Sequence, residues 1–189
     1  YQKPGDVFIA GRHVAARIKK EYKRHARRMT IARGEMLPRT WKLRVPGEHF
    51  RANAALAVEA AKRFGVPTSV IRKTVEGFKS IPGRLERLRD VHGRVIYNDT
   101  CATTPDATRV ALYALSKNKN IILILGGHDK KLDMKKLITE LPMYCKVVVL
   151  LAGSGTDRIR AAVHKHKKLA VSEAVTLQDA VSTAFEKAA

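Results

Sequence analysis

At 189 residues the chain can form one large domain or two small ones, and it can bury roughly 70% of its unfolded surface without staples. Two cysteines exclude a disulfide framework, and no apolar run approaches the roughly 18 residues of a membrane span, so a cytoplasmic protein with no membrane partner is expected. Thirty-seven Lys and Arg against 17 Asp and Glu give a net charge of +20, which favours anionic partners. Residues 1–80 hold 19 of the basic side chains and only 6 of the acidic ones.

In chain order, Val7–Ala10 reads as a short strand and His13–His25 as a helix with Val14, Ile18 and Tyr22 on one stripe. The rest of that helix is basic. A charge run of this kind marks a solvated face, because no aromatics or binding motif interleave it. Met29–Ala32 and Thr40–Val45 are predicted as two strands joined by a Gly34–Pro38 turn, with Trp41 packed inside. Glu48–Phe64 is the clearest helix, Ala-rich and stopped by Gly65 and Pro67, and Thr68–Phe78 follows as a second. Ser80–Gly83 breaks the pattern and marks a domain boundary.

Beyond it, strand and helix alternate. Leu85–Val91 and Arg94–Tyr97 form a predicted hairpin, with Val95, Ile96 and Tyr97 buried. Thr104-Pro105-Asp106 opens a helix to Leu115, with a hydroxyl N-cap and proline at the first position. Ile121–Leu125 and Lys146–Leu151 are continuous apolar runs of the kind buried in parallel sheets. Asp133 caps a helix Met134–Leu141, and a Gly153-Ser154-Gly155 turn leads into Thr156–Val163. Leu169–Val171 is a weak strand, and Thr176 with Asp179 forms a capping box for Leu177–Ala188. This alternation predicts an α/β fold with a parallel sheet.

Ligands of open α/β sheets collect where strands end and helices begin. Two loops hold that position, Asn98–Thr104 and Gly126–Lys130, and they are expected on one sheet edge. A carboxylate at Asp99 suits a ribose or a basic partner, and a cation at Lys130 suits an acidic substrate. Arg84, at the boundary, fits phosphate or ribose contact. Gly153–Arg158 lacks the third glycine of a dinucleotide loop. His164 and His166 have no further ligand nearby, so no zinc site is expected. Cys101 has no assignable histidine partner for nucleophilic work.

The run Tyr97–Pro105, YNDTCATTP, resembles the segment that opens the C-terminal domain of the Mur ligases. It is nearest the D-glutamate-adding branch, with its N-D-S-K-A-T-x-P pattern. Gly47–Ala55 resembles that branch's G-E-H-N-x-x-N-A helix, Pro82–Glu86 its P-H-R-L-E junction, and Gly126–Lys130 its G-G-x-D-K loop. The resemblance implies the second half of a P-loop-type ATPase domain over residues 1–82. A Rossmann-like, mostly parallel-sheet C-terminal domain lacking its last strand would follow over 83–189. It implies a monomeric ligase using ATP and Mg2+, which joins D-glutamate to UDP-N-acetylmuramoyl-L-alanine through an acyl phosphate in peptidoglycan precursor synthesis. Asn53, Arg84 and Asp99 would hold the nucleotide, Asn53 through an amide suited to the adenine edge. Thr103 and Lys130 would hold D-glutamate. The folylpolyglutamate branch carries a different opening motif.

Three positions depart from the pattern: Cys101 replaces a lysine, Phe50 an asparagine and Gly83 a histidine. No G-x-x-G-K-[ST] phosphate loop occurs in the sequence, and no magnesium ligand or catalytic residue of the central domain is assignable. These 189 residues alone are therefore expected to be inactive, for want of electrostatic support for phosphoryl transfer. Two other readings are a basic nucleic-acid-binding module over residues 12–33, with steeply salt-dependent affinity indifferent to Asp99 and Lys130, and a non-catalytic ligase relative.

Overall fold

The alternation of short apolar runs and amphipathic stretches folds as an α/β chain, described for residues 6–21 and 29–188 in a computed structural model. Two units form, Tyr1–Ser80 and Ile81–Ala189.

In the first, β1 (Phe8–Gly11) leads through α1 (Arg12–Glu21) to β2 (Met29–Ala32). The two strands pair in parallel from Phe8↔Met29 to Gly11↔Ala32. The end of the helix expected to reach His25 lies outside the described residues. Two helices follow, α2 (Glu48–Arg63) and α3 (Thr68–Gly77). Leu37, Trp41, Val58 and Ile71 form the core between them.

The strand expected over Thr40–Val45 is absent. A guanidinium takes the carbonyls that a neighbouring strand would have needed. Arg51, on α2, donates to Leu37 O (2.8 Å), Pro38 O (3.2 Å) and Trp41 O (3.2 Å), folding the segment into turns over buried Trp41. Lys42 N donates instead to Glu76 Oε1 at 3.1 Å.

The second unit opens with a hairpin of β3 (Glu86–Val91) and β4 (Arg94–Asn98), paired antiparallel. Its turn residues His92 (φ 49°) and Gly93 (φ 76°) are both left-handed, as the favoured two-residue hairpin turn requires. Val95 is exposed, so β4 is not the buried strand its composition suggested. It also pairs with β3 alone and stands apart from the parallel sheet.

That sheet has the order β5-β6-β7, from β5 (Ile121–Gly126), β6 (Cys145–Leu151) and β7 (Ala170–Ala174). The helices α4 (Pro105–Leu115), α5 (Lys135–Tyr144), α6 (Ser154–His164) and α7 (Leu177–Lys187) connect and cover it. Val147–Leu150 of β6 are all buried, and their side chains alternate between the two faces of the sheet, as the two-residue period of a strand demands. Val148 and Leu150 join Leu112, Leu137, Leu141, Ile159 and Val163 on one face, while Val147 and Val149 join Ala174 and Ala180 on the other. Leu137, Leu141, Val148 and Val163 are fully buried, each contributing about 1.5–3 kcal/mol of transfer free energy. β5, at the edge, is only half-buried, so its apolar run overstated its burial.

Helix starts follow their capping chemistry. The Thr176–Asp179 capping box is formed on both sides. Asp133 is not the N-cap of α5: Met134 takes that position without a side-chain bond, Asp133 Oδ1 accepts from Lys135 N at 2.9 Å one residue outside it, and the helix runs through Pro142 to Tyr144 rather than stopping at Leu141. Among the described residues no helix is long and apolar enough to cross a membrane.

Candidate functional site

The segment Ile81–Glu86 is tied to the loop after β4 by side chains that capture backbone N–H groups. Asp99 Oδ1 accepts from Leu85 N at 2.8 Å, and Glu86 Oε2 accepts from Gly83 N (3.0 Å) and Asn98 Nδ2 (3.2 Å). Cys101 N donates to Gly83 O at 2.9 Å, and Ala102 N to Asp99 O at 2.8 Å. The knot fixes two left-handed residues, Gly83 (φ 74°) and Leu85 (φ 48°), and places Arg84 between them. A non-glycine residue in that region of φ costs on the order of 1 kcal/mol, which the Asp99 bond offsets.

Two of the departures from the Mur ligase pattern meet in this knot. A Cβ added at Gly83 would lie 3.0 Å from both Cys101 Sγ and Thr100 Oγ1. The glycine in place of histidine thus makes room for the cysteine in place of lysine.

The loop then enters α4. Thr104 is its N-cap, its hydroxyl accepting from Ala107 N at 3.2 Å, with Pro105 at the first position. Thr103 stands just before, exposed, its N–H spent on Cys101 O at 2.9 Å. An exposed hydroxyl beside a helix N-terminus suits a carboxylate.

The second loop follows β5. Asp129 N donates to Ser154 Oγ (3.0 Å), Asp129 Oδ1 accepts from Lys131 N (2.8 Å) and pairs with Arg158 (3.0 Å), and Arg158 Nη2 reaches Leu132 O (2.5 Å). Gly155 N donates to Gly127 O at 2.9 Å. This is the work of the Gly153-Ser154-Gly155 motif, expected as a plain turn. A Cβ at either glycine would fall within 2.9 Å of the Gly127 carbonyl, and α6 begins inside the motif at Ser154, two residues before the predicted start. Lys130 sits on this braced loop with its ammonium exposed and without a hydrogen bond or ion pair among the described residues.

The structure therefore brings Arg84, Asp99 and Thr103 into one knot and its continuation. Lys130 leaves the parallel sheet from β5, whereas Asp99 leaves the separate β3–β4 hairpin, so the expectation of one shared sheet edge is corrected. Asn53 is exposed on α2 of the first unit.

Sequence reasoning missed the clamp between the helices that follow the two loops. Arg109 of α4 donates to both carboxylate oxygens of Glu140 on α5 (2.8 and 2.9 Å), to Asp106 at 2.6 Å and to the hydroxyl oxygen of Tyr113 at 2.6 Å, and that hydroxyl in turn donates to Glu140. The Arg109 bond holds the Glu140 carboxyl below its ordinary range, helped by Tyr113, and Glu140 raises both Arg109 and the Tyr113 phenol. The spacing of Asp106, Arg109 and Tyr113 on one helix face was readable; Glu140, 31 residues further on, was not.

The family model described as Mur ligase, glutamate ligase domain matches residues 83–189. A UDP-N-acetylmuramoylalanine–D-glutamate ligase of Streptococcus agalactiae is 35% identical over 156 residues, covering 82% of this chain and 34% of the relative. Another so named, from a Roseiflexus species, is 38% identical over 117 residues, covering 62% of this chain and 25% of the relative. The chain spans about a third of the length of the first of these relatives. Among solved structures, a Mycobacterium tuberculosis folylpolyglutamate synthase complexed with ADP superposes with a TM-score of 0.72 at 18% identity, covering 98% of this chain and 49% of that one. At that identity the likeness speaks for the fold.

Proposed function

We propose that this chain, which belongs to the Mur ligase family, supplies the D-glutamate-binding and part of the nucleotide-binding surface of a cytoplasmic, monomeric ligase that joins D-glutamate to UDP-N-acetylmuramoyl-L-alanine at the expense of ATP. The observation that carries it is the knot at Ile81–Thr103. Arg84, Asp99 and Thr103, the residues the family pattern assigns to ligands, stand within one hydrogen-bonded segment of the matched domain.

In this reading residues 1–82 belong to the ATPase domain and residues 83–189 to the substrate domain. Arg84 and Asp99 contact the nucleotide from the second unit, and the family pattern assigns the exposed Asn53 of the first to the adenine. ATP supplies the phosphoryl group that activates the acceptor carboxylate. Thr103 and Lys130 hold the D-glutamate carboxylates, the first by a hydroxyl beside the α4 N-terminus and the second by a charge on a loop that is already braced. Ordering costs on binding are small where the backbone is fixed beforehand. ATP and Mg2+ are the cofactors of the whole ligase in this reading.

The test is phosphate release from ATP by the full-length protein. Release that needs both UDP-N-acetylmuramoyl-L-alanine and D-glutamate, and that L-glutamate does not replace, is the expected result; release with neither, or with another amino acid only, refutes the assignment. The 189-residue chain by itself is expected to release none.

A further inference from the structure

The three parallel strands of the second unit begin side by side. Ile121 of β5 stands opposite Cys145 of β6, and Val147 of β6 opposite Ala170 of β7. Strands lie about 4.8 Å apart, so the segments feeding them gather within about 10 Å. Those segments are rich in lysine: Lys117 and Lys119 before β5, Lys146 in β6, and Lys165, Lys167 and Lys168 before β7. Lys119 Nζ donates to the Lys168 carbonyl at 3.1 Å, which ties the outer segments together across the start of β6. Five of the six are exposed and Lys119 is half-buried. Among the described residues none pairs with a carboxylate.

The clustering is not a by-product of a basic chain. Residues 81–189 carry 18 basic and 11 acidic side chains, and without these six lysines twelve would face eleven. Nearly all the surplus charge of the unit sits on one end of one sheet. It is the end opposite the Gly127 and Gly153 loops, which leave the C-terminal ends of β5 and β6.

The composition of this edge selects the partner. Its cations are all lysines, which are point charges without the planar fork that reads bases or grips single phosphates. Tyr144, the aromatic beside it, is half-buried against Tyr113, with ring centroids 5.2 Å apart, and is not offered for base stacking. Met143, two residues before β6 begins and three before Lys146, is 62% exposed. An apolar side chain among lysines has no counterpart on a nucleic-acid backbone, but it suits the boundary between lipid headgroups and acyl chains. We infer that this lysine edge docks the protein on an anionic phospholipid surface, with Met143 entering the boundary and the Gly127 and Gly153 loops left facing water. The contact is peripheral and spans nothing.

Co-sedimentation of the 189-residue chain with vesicles tests this. Binding is expected to vesicles of phosphatidylcholine with phosphatidylglycerol at about 0.1 M salt, and not at about 0.5 M or to phosphatidylcholine alone. Each lysine neutralised is expected to weaken binding about five-fold, so K165Q/K167Q/K168Q loses on the order of a hundred-fold. A charge-matched control, K20Q/K73Q/K79Q, loses far less, and Met143→Ser weakens binding several-fold. The thermal melt of each variant checks folding, and K117Q/K146Q serves should the triple variant fail it. Equal loss in the patch and control variants would mean that bulk charge alone binds, and the proposal fails. It fails too on equal binding to neutral vesicles, or on tighter binding to a short DNA duplex that the patch variant abolishes.

Discussion

Around Asp99 the backbone is held by side chains: a carboxylate on Leu85 N and a second on Gly83 N fix a segment with two left-handed residues. Around Gly127 space matters as well as bonds: Ser154 Oγ accepts from Asp129 N, but only Gly153 and Gly155 let α6 approach a carbonyl that any Cβ would strike. The first junction depends on bonds that can be removed one at a time. The second depends on space, and space has no conservative replacement. Both lead into helices joined by the Arg109–Glu140 clamp, so each loop is anchored at its far side in the same way.

The contrast is open to direct attack. The largest effect belongs to the glycine junction. A Cβ at Gly126 would collide with the Leu151 carbonyl across the β5–β6 pair, and Gly126→Ala is expected to cost about 3 kcal/mol in urea unfolding. A loss under about 1 kcal/mol would show that the strands can part without penalty. In the knot, Gly83→Ala strains a φ of 74° but meets only the ends of two side chains, so about 1–2 kcal/mol is expected. In a Cys101→Ala background part of that cost should vanish, since Sγ is one of the two atoms in the way; strict additivity would show that the two departures are independent.

The clamp gives a pH test. A carboxyl depressed in the folded state adds stability above its ordinary value, here 4.5, and loses it as pH falls through the folded value. The melting-temperature gap between wild type and Glu140→Gln should therefore be level from neutral pH down to about 5 and close below it. A gap that widens on acidification would mean that Glu140 does not carry the charge in this pair. Smallest in stability is Lys130→Ala, expected within about 0.5 kcal/mol of wild type because the exposed ammonium makes no bond among the described residues. In the full-length protein the same change should raise the KM for D-glutamate about ten-fold with kcat little altered, the mark of lost binding rather than lost chemistry.

Much of this architecture was legible beforehand because its signals are local. The Thr104 N-cap, the His92-Gly93 turn, the Thr176 capping box and the paired apolar runs of β5 and β6 each need only a few neighbouring residues. What misled was non-local. Thr40–Val45 has the composition of a strand, yet Arg51 takes the carbonyls around it from a helix that starts after it. The backbone role of Asp99 was hidden for the same reason: Leu85 N, which one of its oxygens holds, lies 14 residues upstream. Likewise the Gly153 motif suggested a turn, because the carbonyl it accommodates belongs to another loop.

The two cysteines occupy opposite extremes of this chain. Cys101 is exposed on the knot, while Cys145, first residue of the central strand, is fully buried, and burial pushes its thiol up to about 12. A thiol-specific dye reacts through thiolate and needs access, so in the native protein it takes the first site and spares the second. One wild-type molecule thus accepts a reporter beside Gly83, on the knot of the second unit. Its second thiol becomes a clock for opening of the sheet, read from the rate at which a second label appears.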